Sequence, residues 1–314
     1  MPPSPRGATF TFRTMGTLGH ASWSPAGLDL GDQLAGRADE IEQRLTRFSG
    51  NSEISRLTER WHAVSQDTAA VLRAADLLSV RTNGWFSPLL GAQVKAWEQL
   101  ATGFLDSVPQ PSKACGRIEV DAGRARLVDA SPGSVDLGAI AKGYAADQLR
   151  DLAVVQGAGD VLISLGGSSI ALAGAPAIIG LSSPWQGWDS FGTLDPVSGA
   201  LSVSADPGTR IRRGRQRSHL LDPTTGSPAM TDLCAAIVCG ADAMVCEAFS
   251  SAYLAMGLDA ALLLDQTQPE IDTIFMTVDG RVLASPRLSI KANPGVQDWL
   301  RGQRRQAGAA VGAT

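Results

Sequence analysis

The chain has 314 residues and a formal net charge of −4 at pH 7. Hydrophobic residues make up 44% of it and charged residues 18%, which is typical of a protein that folds around a core and excludes a disordered chain. The acidic balance argues against binding to nucleic acids and to membrane surfaces, because both carry negative charge. We therefore expect neither a nucleic acid nor a membrane among the partners of this protein.

The first residues, MPPSPRGATFTF, contain no apolar run as long as that of a signal peptide, and no stretch reaches the roughly 18 apolar residues of a membrane span. The sequence has four cysteines and no CxxC pair, which argues against a zinc site. Cys234, Cys239 and Cys246 lie in apolar surroundings that are typical of buried free thiols. We expect a reduced, cytoplasmic protein.

The spacing of apolar residues predicts helices in four stretches. They cover residues 28–47, residues 67–84 with Asp67 as the N-cap, residues 138–152 before a stop near Gly157, and residues 242–256 before Gly257.

Alternating polar and apolar residues, broken by turn signals, predict strands elsewhere. They cover residues 8–23, a hairpin at 117–129 with Asp121-Ala122-Gly123 in its turn, paired strands at 161–174 and 177–181, a hairpin of 200–204 with 219–223, a buried strand at 235–239 and a hairpin at 274–285. Residues 184–199 are predicted to form a loop. Since strands outnumber helices and recur as hairpins, the predicted fold class is α+β with antiparallel sheets and flanking helices. The predicted domain spans residues 10–300, between flexible segments at 1–9 and 301–314.

Two glycine-rich stretches could bring the backbone close to a ligand. In VDLGAIAKGYAADQL, residues 135–149, glycines stand at a helix start, where free N–H groups favour a phosphate, and Lys142 adds a positive charge. The GxxxxGK[ST] pattern of a P-loop is absent, and a glycine turn with a solvated lysine explains the same residues. SLGGSS, residues 164–169, is either a second close approach or a plain turn between strands.

Glu247 and Ser251 lie four residues apart in GADAMVCEAFSSAYLAMG, residues 240–257, and therefore share one face of the predicted helix. A carboxylate beside a hydroxyl suits Mg²⁺, a hard cation that takes oxygen ligands. The rest of the helix is largely apolar, so a glutamate that caps the helix or pairs with an arginine is the alternative. Likewise, Ser52 and Ser55 in RFSGNSEISRLT could be plain helix caps.

The stretch RSHLLDPTTGSPA, residues 217–229, places His219 three residues before Asp222, after a cluster of arginines. The arginines are Arg210, Arg212, Arg213, Arg215 and Arg217. Histidine has an unperturbed pKa of about 6.5 and can act as a base at neutral pH. The hypothesis is that His219 and Asp222 are catalytic and that the arginines border a bound anion. A structural histidine and a solvated hairpin tip are the alternative.

These stretches, together with RTMGT at residues 13–17 and LISLGGS at 162–168, stand in an order that resembles the ApbE family of FAD:protein FMN transferases. The resemblance covers about residues 10–257, and its lysine-glycine-tyrosine and His-x-x-Asp-Pro-x-x-Gly blocks are specific in combination. It favours the functional interpretation of each motif. It implies a mixed α+β fold that binds FAD and Mg²⁺ and transfers FMN from FAD to a threonine or serine hydroxyl of an acceptor flavoprotein, with release of AMP.

The resemblance also implies roles for particular residues. The flavin-binding positions are Met15, Phe48, Trp85, Phe86, Ser87, Asp136 and Lys142, with His219 beside the pyrophosphate. The metal positions are the backbone carbonyl of Ala139 and the side chains of Glu247 and Ser251. In these roles Mg²⁺ and Lys142 neutralise charge during attack on the FMN phosphorus, and His219 takes the hydroxyl proton.

Three departures from the family pattern bear on this interpretation. The family helix usually carries Asp where this chain has Glu247 and Thr where it has Ser251, and Ser87 replaces a carboxylate in WFSPLL. A longer carboxylate, and a hydroxyl that lacks threonine's methyl group, imply a looser cation site. Many members are exported lipoproteins, whereas this sequence shows no export signal, which implies a cytoplasmic acceptor. The alternative functions are a Mg²⁺-dependent FAD diphosphatase that gives FMN and AMP, and a non-catalytic FAD-binding carrier.

Overall fold

The computed structural model describes residues 7–105, 107, 110, 112–131, 133–185, 189–205 and 220–297. The helices in these ranges are α1 (Gly31–Leu45), α2 (Gln66–Arg81), α3 (Gly91–Ala101), α4 (Ala141–Val155), α5 (Ala243–Met256) and α6 (Leu258–Asp265). The strands are β1 (Ala8–Thr14), β2 (Thr17–Trp23), β3 (His62–Ala63), β4 (Arg117–Asp121), β5 (Arg124–Val128), β6 (Val161–Leu165), β7 (Ser169–Ala173), β8 (Ala177–Ser182), β9 (Ser190–Val197), β10 (Ala200–Ala205), β11 (Leu221–Asp222), β12 (Ser227–Pro228), β13 (Leu233–Gly240), β14 (Asp272–Thr277), β15 (Val282–Ala284) and β16 (Ile290–Ala292). Within the ranges described, every helix is too short or too polar to cross a bilayer.

Eight strands form one large antiparallel sheet in the order β1-β2-β6-β7-β10-β13-β14-β15. Smaller antiparallel groups accompany it, namely β16-β9-β8, β3-β5-β4 and the short pair β11-β12. Tight turns join several neighbours. Between β4 and β5, Ala122 and Gly123 have φ values of 43° and 77°, the left-handed backbone that a two-residue hairpin turn requires.

The large sheet lies between two cores, and strand β13 contributes to both. Ala236 and Val238 point into the core beneath α4 and α5, whereas Ile237 and Cys239 point into a core shared with β8 and β9. Successive side chains of a strand alternate between faces, so a strand buried on both sides needs an unbroken apolar run. This requirement explains the sequence LCAAIVCG.

Much of the expected fold is confirmed. The fold class is α+β, and the four predicted helices correspond to α1, α2, α4 and α5. The hairpins at 117–129 and 274–285 are β4-β5 and β14-β15, and the buried strand at 235–239 is β13. All four cysteines are free, and three are buried as expected. Burial raises the pKa of the Cys234 and Cys239 thiols to about 12.

Two segments differ from their predicted structure. Residues 8–23 form two strands instead of one, because Met15 and Gly16 turn the chain back with φ values of 49° and 70°. The loop predicted for residues 184–199 is wrong, since β9 occupies half of it and pairs with β8 and β16. Pro196 lies where the β8-β9 register shifts, and a bulge tolerates a residue that has no N–H to donate.

Two predicted strand pairings are also wrong. Residues 177–181, expected beside 161–174, form β8 and pair with β9 in a separate sheet. Residues 200–204, expected to form a hairpin with 219–223, lie in β10 between β7 and β13. Local alternation shows that a segment is a strand, but the partner of that strand depends on contacts that are distant in sequence.

The N-terminal segment and helices α3 and α6 also differ from the sequence-based expectation. The sequence predicts a flexible segment over residues 1–9, whereas β1 begins at Ala8. Residues 1–6 and 301–314 lie outside the described residues. Helices α3 and α6 have no counterpart in the sequence-based expectation. α6 is only eight residues long, which is too short for helical periodicity to stand out from an apolar run.

Asp67 is not the N-cap of α2, because the side chain of Ser65 caps that helix. Asp67 is 5% exposed, and its carboxylate accepts hydrogen bonds from Arg37 at 2.8 Å and from the Tyr144 hydroxyl at 2.6 Å, and pairs with Arg44. Burial opposes ionisation, but the hydrogen bonds from Arg37 and Tyr144 outweigh it and lower the pKa of Asp67. One buried carboxylate thus ties α2 to α1 and α4.

We expect Asp67→Asn to lower the free energy of unfolding by about 3 kcal/mol at pH 7, because it leaves a buried ion cluster without its anion. Ser65→Ala, which removes the true cap, should cost only about 1 kcal/mol. A lowered carboxyl pKa contributes stability that is present above the unfolded value of about 3.9 and is lost as pH falls through the folded value. The deficit of Asp67→Asn should therefore shrink in strong acid. Urea unfolding at several pH values checks this, and equal deficits for both variants at pH 7 would contradict it.

Candidate functional site

A cavity of about 840 Å³ opens at one end of the large sheet. Its walls come from the β1-β2 turn, the β6-β7 turn, the end of β10, the residues that lead into α4 and one face of α5. The two turns are neighbours, because the N–H of Gly166 donates to the carbonyl of Leu18 at 2.9 Å. A volume of this size lies in the range of about 300–1,000 Å³ that is typical of small-molecule and cofactor sites.

The cavity brings together most of the predicted site residues. Those that line it are Met15, Phe48, Trp85, Phe86, Ser87, Asp136, Ala139, Lys142, Glu247 and Ser251. Asp222 is not among the lining residues, and its carboxylate accepts hydrogen bonds from the N–H and hydroxyl of Thr224 at 2.8 and 2.6 Å. The structure therefore gives Asp222 a role in holding its turn, and its catalytic role stays a prediction.

His219 and the five neighbouring arginines lie outside the described residues. Their predicted roles therefore stay predictions. The two residues that follow His219, Leu220 and Leu221, both line the cavity.

Glu247 is buried, at 4% exposure, and both oxygens of its carboxylate have partners. Oε1 accepts a hydrogen bond from the ammonium group of Lys142, and Oε2 accepts one from the N–H of Gly143 at 2.7 Å. A carboxylate at this depth is tolerated when it is paired and hydrogen-bonded. Lys142 is therefore not a freely solvated lysine, and Glu247 pairs with a lysine on α4 instead of an arginine.

Helices α4 and α5 approach so closely that Gly143 has no room for a side chain. A Cβ there would lie 2.4 Å from the carbonyl oxygen of Ala243. One turn further along α4, Asp147 accepts hydrogen bonds from the N–H groups of Ala243 and Met244, both at 3.0 Å, and so satisfies free donors at the start of α5. Burial raises the pKa of Asp147 to about 6, against the effect of these hydrogen bonds. α4 thus fixes α5 and, with it, Glu247.

Ala139, Glu247 and Ser251 all line the cavity, and a backbone carbonyl, a carboxylate and a hydroxyl are all oxygen donors. Mg²⁺ prefers oxygen ligands and usually keeps waters and phosphate oxygens beside one or two carboxylates. Groups of three or more His, Cys, Asp or Glu side chains that could hold a metal do not occur in the part of the chain that the structure describes. The donors therefore fit a cation shared with a phosphate ligand better than one held by protein alone.

Aromatic rings supply another part of the wall. Phe48 is 80% exposed, and the guanidinium of Arg47 lies 4.2 Å from the centroid of its ring. Arg47 in turn pairs with Asp136 at 2.9 Å, and the other oxygen of Asp136 accepts a hydrogen bond from the N–H of Gly138 at 2.7 Å. Trp85 lines the same cavity. An exposed ring beside a cation offers a face on which a flat ligand ring can stack.

Glu42, Arg47 and Ser204 are among the lining residues that have no counterpart in the sequence-based expectation. Glu42 accepts a hydrogen bond from the N–H of Met15 at 2.6 Å and so supports the left-handed backbone of the β1-β2 turn. Arg47 and Ser204 also line the cavity. The adjacent pair Arg47-Phe48 carries a local signal, a cation beside an aromatic residue in a turn. Glu42 and Ser204 reach the cavity through tertiary packing, which no local pattern encodes.

A family model described as the ApbE family matches residues 14–275. The chain belongs to the ApbE family. Among similar curated proteins, an FAD:protein FMN transferase of Treponema pallidum is 27% identical over 248 residues, which are 71% of this chain and 68% of that protein. An FAD:protein FMN transferase of Klebsiella pneumoniae is 26% identical over 74% of this chain and 75% of its own length.

Solved structures of ApbE proteins share the fold of this ApbE-family chain. The flavin transferase ApbE from Vibrio cholerae superimposes with a TM-score of 0.74 at 22% identity and covers 93% of this chain and 98% of its own. The apo form of the Pseudomonas stutzeri flavinyl transferase ApbE gives a TM-score of 0.75 at 20% identity, over 94% and 96% of the two chains. At these identities the likeness confirms the fold, an ApbE-like mixture of antiparallel sheets and helices.

We expect Gly143→Ala to destabilise the protein by about 1–3 kcal/mol, the usual cost of overpacking, because the added methyl group forces α5 away from α4. Gly36→Ala on α1 is the matched control, since a Cβ at that position meets nothing within 4 Å. This control should be stabilised by about 0.5–1 kcal/mol, because alanine favours a helix over glycine. Thermal unfolding checks both changes. A Gly143→Ala protein as stable as the control would contradict the close contact of the two helices.

Proposed function

We propose that this protein transfers FMN from FAD to a threonine or serine hydroxyl of an acceptor flavoprotein and releases AMP. One observation carries the proposal. A single cavity combines the exposed ring of Phe48 and the half-buried ring of Trp85 with a lysine, a buried carboxylate and serine residues on β10 and α5. FAD needs both kinds of surface, since its isoalloxazine ring is flat and its pyrophosphate is anionic. The names of the relatives support the same activity.

The start of α4 is suited to the pyrophosphate. Lys142 places a compact positive charge there. Since the N–H groups of Ala141 and Gly143 already donate to Leu137 and to Glu247, the lysine supplies the main attraction for an anion. Gly138 and the turn formed by Gly166 and Gly167 add backbone that a ligand can approach closely. We propose that Phe48 and Trp85, with Met15, Phe86 and Ser87, contact the flavin.

The side chains of Glu247 and Ser251, with the carbonyl of Ala139, would hold Mg²⁺. When bound, the cation would neutralise charge on the pyrophosphate, which is what phosphoryl transfer chiefly requires. Lys142, which pairs with Glu247, would then turn to a phosphate oxygen. Phosphoryl transfer depends mainly on positioning and on neutralising the charge of the phosphates. A covalent intermediate with the protein is therefore not required.

His219 is the proposed base. The acceptor oxygen forms a bond to the phosphorus of the FMN half, the anhydride bond to the AMP phosphate breaks, and AMP leaves with the electron pair. The proton of the acceptor hydroxyl passes to His219. Support comes from the sequence, since His219 directly precedes Leu220 and Leu221 on the cavity wall.

The proposed acceptor is cytoplasmic. All four cysteines of the chain are free, and this supports a compartment that keeps thiols reduced. The proposed partners are accordingly FAD and a cytoplasmic flavoprotein.

We expect purified protein with FAD and Mg²⁺ to release AMP only when an acceptor is added. Glu247→Gln should abolish this release and spare binding of FAD without metal, because the amide keeps the shape of the carboxylate and loses its charge. Glu59→Gln, an exposed change of the same kind, is the control. Chromatographic assay of AMP and a fluorescence titration with FAD provide the measurements.

Other outcomes of this experiment point elsewhere. Release of AMP without acceptor would indicate an FAD diphosphatase, and bound FAD that yields no AMP would indicate a carrier. Full activity of Glu247→Gln would remove Glu247 from the proposed cation site.

His219→Ala should lower AMP release by roughly 10²–10⁴, the usual scale for loss of a general base, and leave the affinity for FAD nearly unchanged. The effect should appear in kcat, because the base acts on the acceptor proton and not on bound FAD. Initial rates of AMP release and an FAD titration of the same preparation separate the two. A variant that turns over like the unaltered protein would make His219 a structural residue.

A further inference from the structure

Four serine hydroxyls form a chain of hydrogen bonds between β10 and α5. The oxygen of Ser204 lies 2.9 Å from that of Ser250 and 3.1 Å from that of Ser251. Ser250 also donates to Ser202 at 3.3 Å and to the carbonyl of Glu247 at 3.1 Å. Ser202 and Ser250 are buried, whereas Ser204 and Ser251 line the cavity. The chain therefore runs from the core to a predicted cation ligand.

The direction of each hydrogen bond follows from one fixed acceptor. A serine hydroxyl has one proton and two lone pairs, whereas a carbonyl can only accept. All of these contacts are satisfied together only when the Ser250 proton goes to the carbonyl of Glu247, with Ser202 as a second acceptor. Ser250 has no proton left for Ser204, so Ser204 donates to Ser250. Since that uses the Ser204 proton, Ser251 donates to Ser204.

We propose that Ser204 is a positioning residue that holds the proton of Ser251 and so aims the lone pairs of Ser251 at a divalent cation in the cavity. The inference rests on the proposed function, in which Ser251 is a ligand. A hydroxyl coordinates a cation through a lone pair, so a proton that points elsewhere leaves that lone pair free. Hydrogen-bond partners of metal ligands commonly orient them in this way.

The same hydrogen bond offsets the looseness expected of serine at position 251. Threonine has a second heavy atom on Cβ that restricts χ1, and serine lacks it. The bond to Ser204 supplies a restraint of another kind. Ser204 has a rigid base, because its backbone lies in β10, opposite Ala236 of the central strand β13. A ligand held by a partner on a strand keeps its geometry better than one held by a loop.

The test is a titration of the full-length protein with Mn²⁺, with free Mn²⁺ measured by electron paramagnetic resonance, with and without FAD. Ser204→Ala should weaken Mn²⁺ binding by about tenfold, the lower end of the effect of losing such a partner. Ser204→Thr keeps the hydroxyl on a strand and should restore the affinity. Ser202→Ala is the matched control, because it removes a buried hydroxyl of the same chain of bonds without changing the direction of the bond from Ser251. Thermal unfolding of each variant verifies folding.

Each outcome decides a different point. If Ser251→Ala and Glu247→Gln weaken Mn²⁺ binding but Ser204→Ala does not, the positioning role of Ser204 is overturned and the cation site remains. Equal weakening by Ser202→Ala and Ser204→Ala, or no rescue by Ser204→Thr, would also overturn it, because the effect would then come from general loosening of the cluster. Unaltered protein that binds no Mn²⁺ in either condition would remove the proposed cation site itself.

Discussion

A carboxylate buried between two helices is the interaction on which the rest of the site depends. Glu247 has almost no contact with solvent, and a charge at that depth persists only when it is paired and hydrogen-bonded. Both partners come from the first turn of α4, the ammonium group of Lys142 and the N–H of Gly143. α5 must therefore lie against the start of α4, so closely that position 143 admits only glycine. Asp147 holds the same approach one turn further on.

This contact also connects the fold with the proposed chemistry. The cavity lies at one end of the large sheet. The β1-β2 and β6-β7 turns, the start of α4 and one face of α5 surround it. Lys142 and Glu247 neutralise each other's charge. The site stays neutral if an anion binds to the lysine and a cation binds to the carboxylate at the same time. On the proposed function, a pyrophosphate takes the lysine and a divalent cation takes the carboxylate. The serine chain that reaches Ser251 from the core serves the same end, since it orders a hydroxyl before any ligand arrives.

Features that depend on local sequence could be predicted, and they include much of the fold. Helical spacing, glycine stops and hairpin turns identify α1, α2, α4, α5 and several hairpins, because each signal lies within a few residues of the structure it specifies. Most of the motif residues that the structure describes line one cavity, and Lys142 and Glu247 form a direct pair. The sequence around Glu247 did not identify its partner. It was equally compatible with a helix cap and with an ion pair to an arginine, whereas the partner is Lys142 on α4.

The features that could not be predicted depend on distant contacts. The sequence of strand β9 resembles a loop because it contains Gly192 and Pro196. The strand accommodates Pro196 at a bulge and Gly192 where the backbone of β16 approaches closely, and neither feature is visible in the local sequence. Asp67 reads as a cap, since nothing near it in sequence indicates the arginines of α1 or Tyr144 of α4. Ser204 looks like any strand serine until α5 places Ser250 and Ser251 beside it. In each case the deciding partner lies on another element of the fold.

Mass spectrometry of an acceptor flavoprotein tests the central claim most directly. The acceptor is incubated with this protein, FAD and Mg²⁺, digested and sequenced by fragmentation. The account predicts a threonine or serine that gains the mass of FMN less one water, in step with AMP release, and no gain when FAD or the divalent cation is left out. An acceptor that stays unmodified while FAD is converted to FMN and AMP, or while FAD stays intact, would contradict the account.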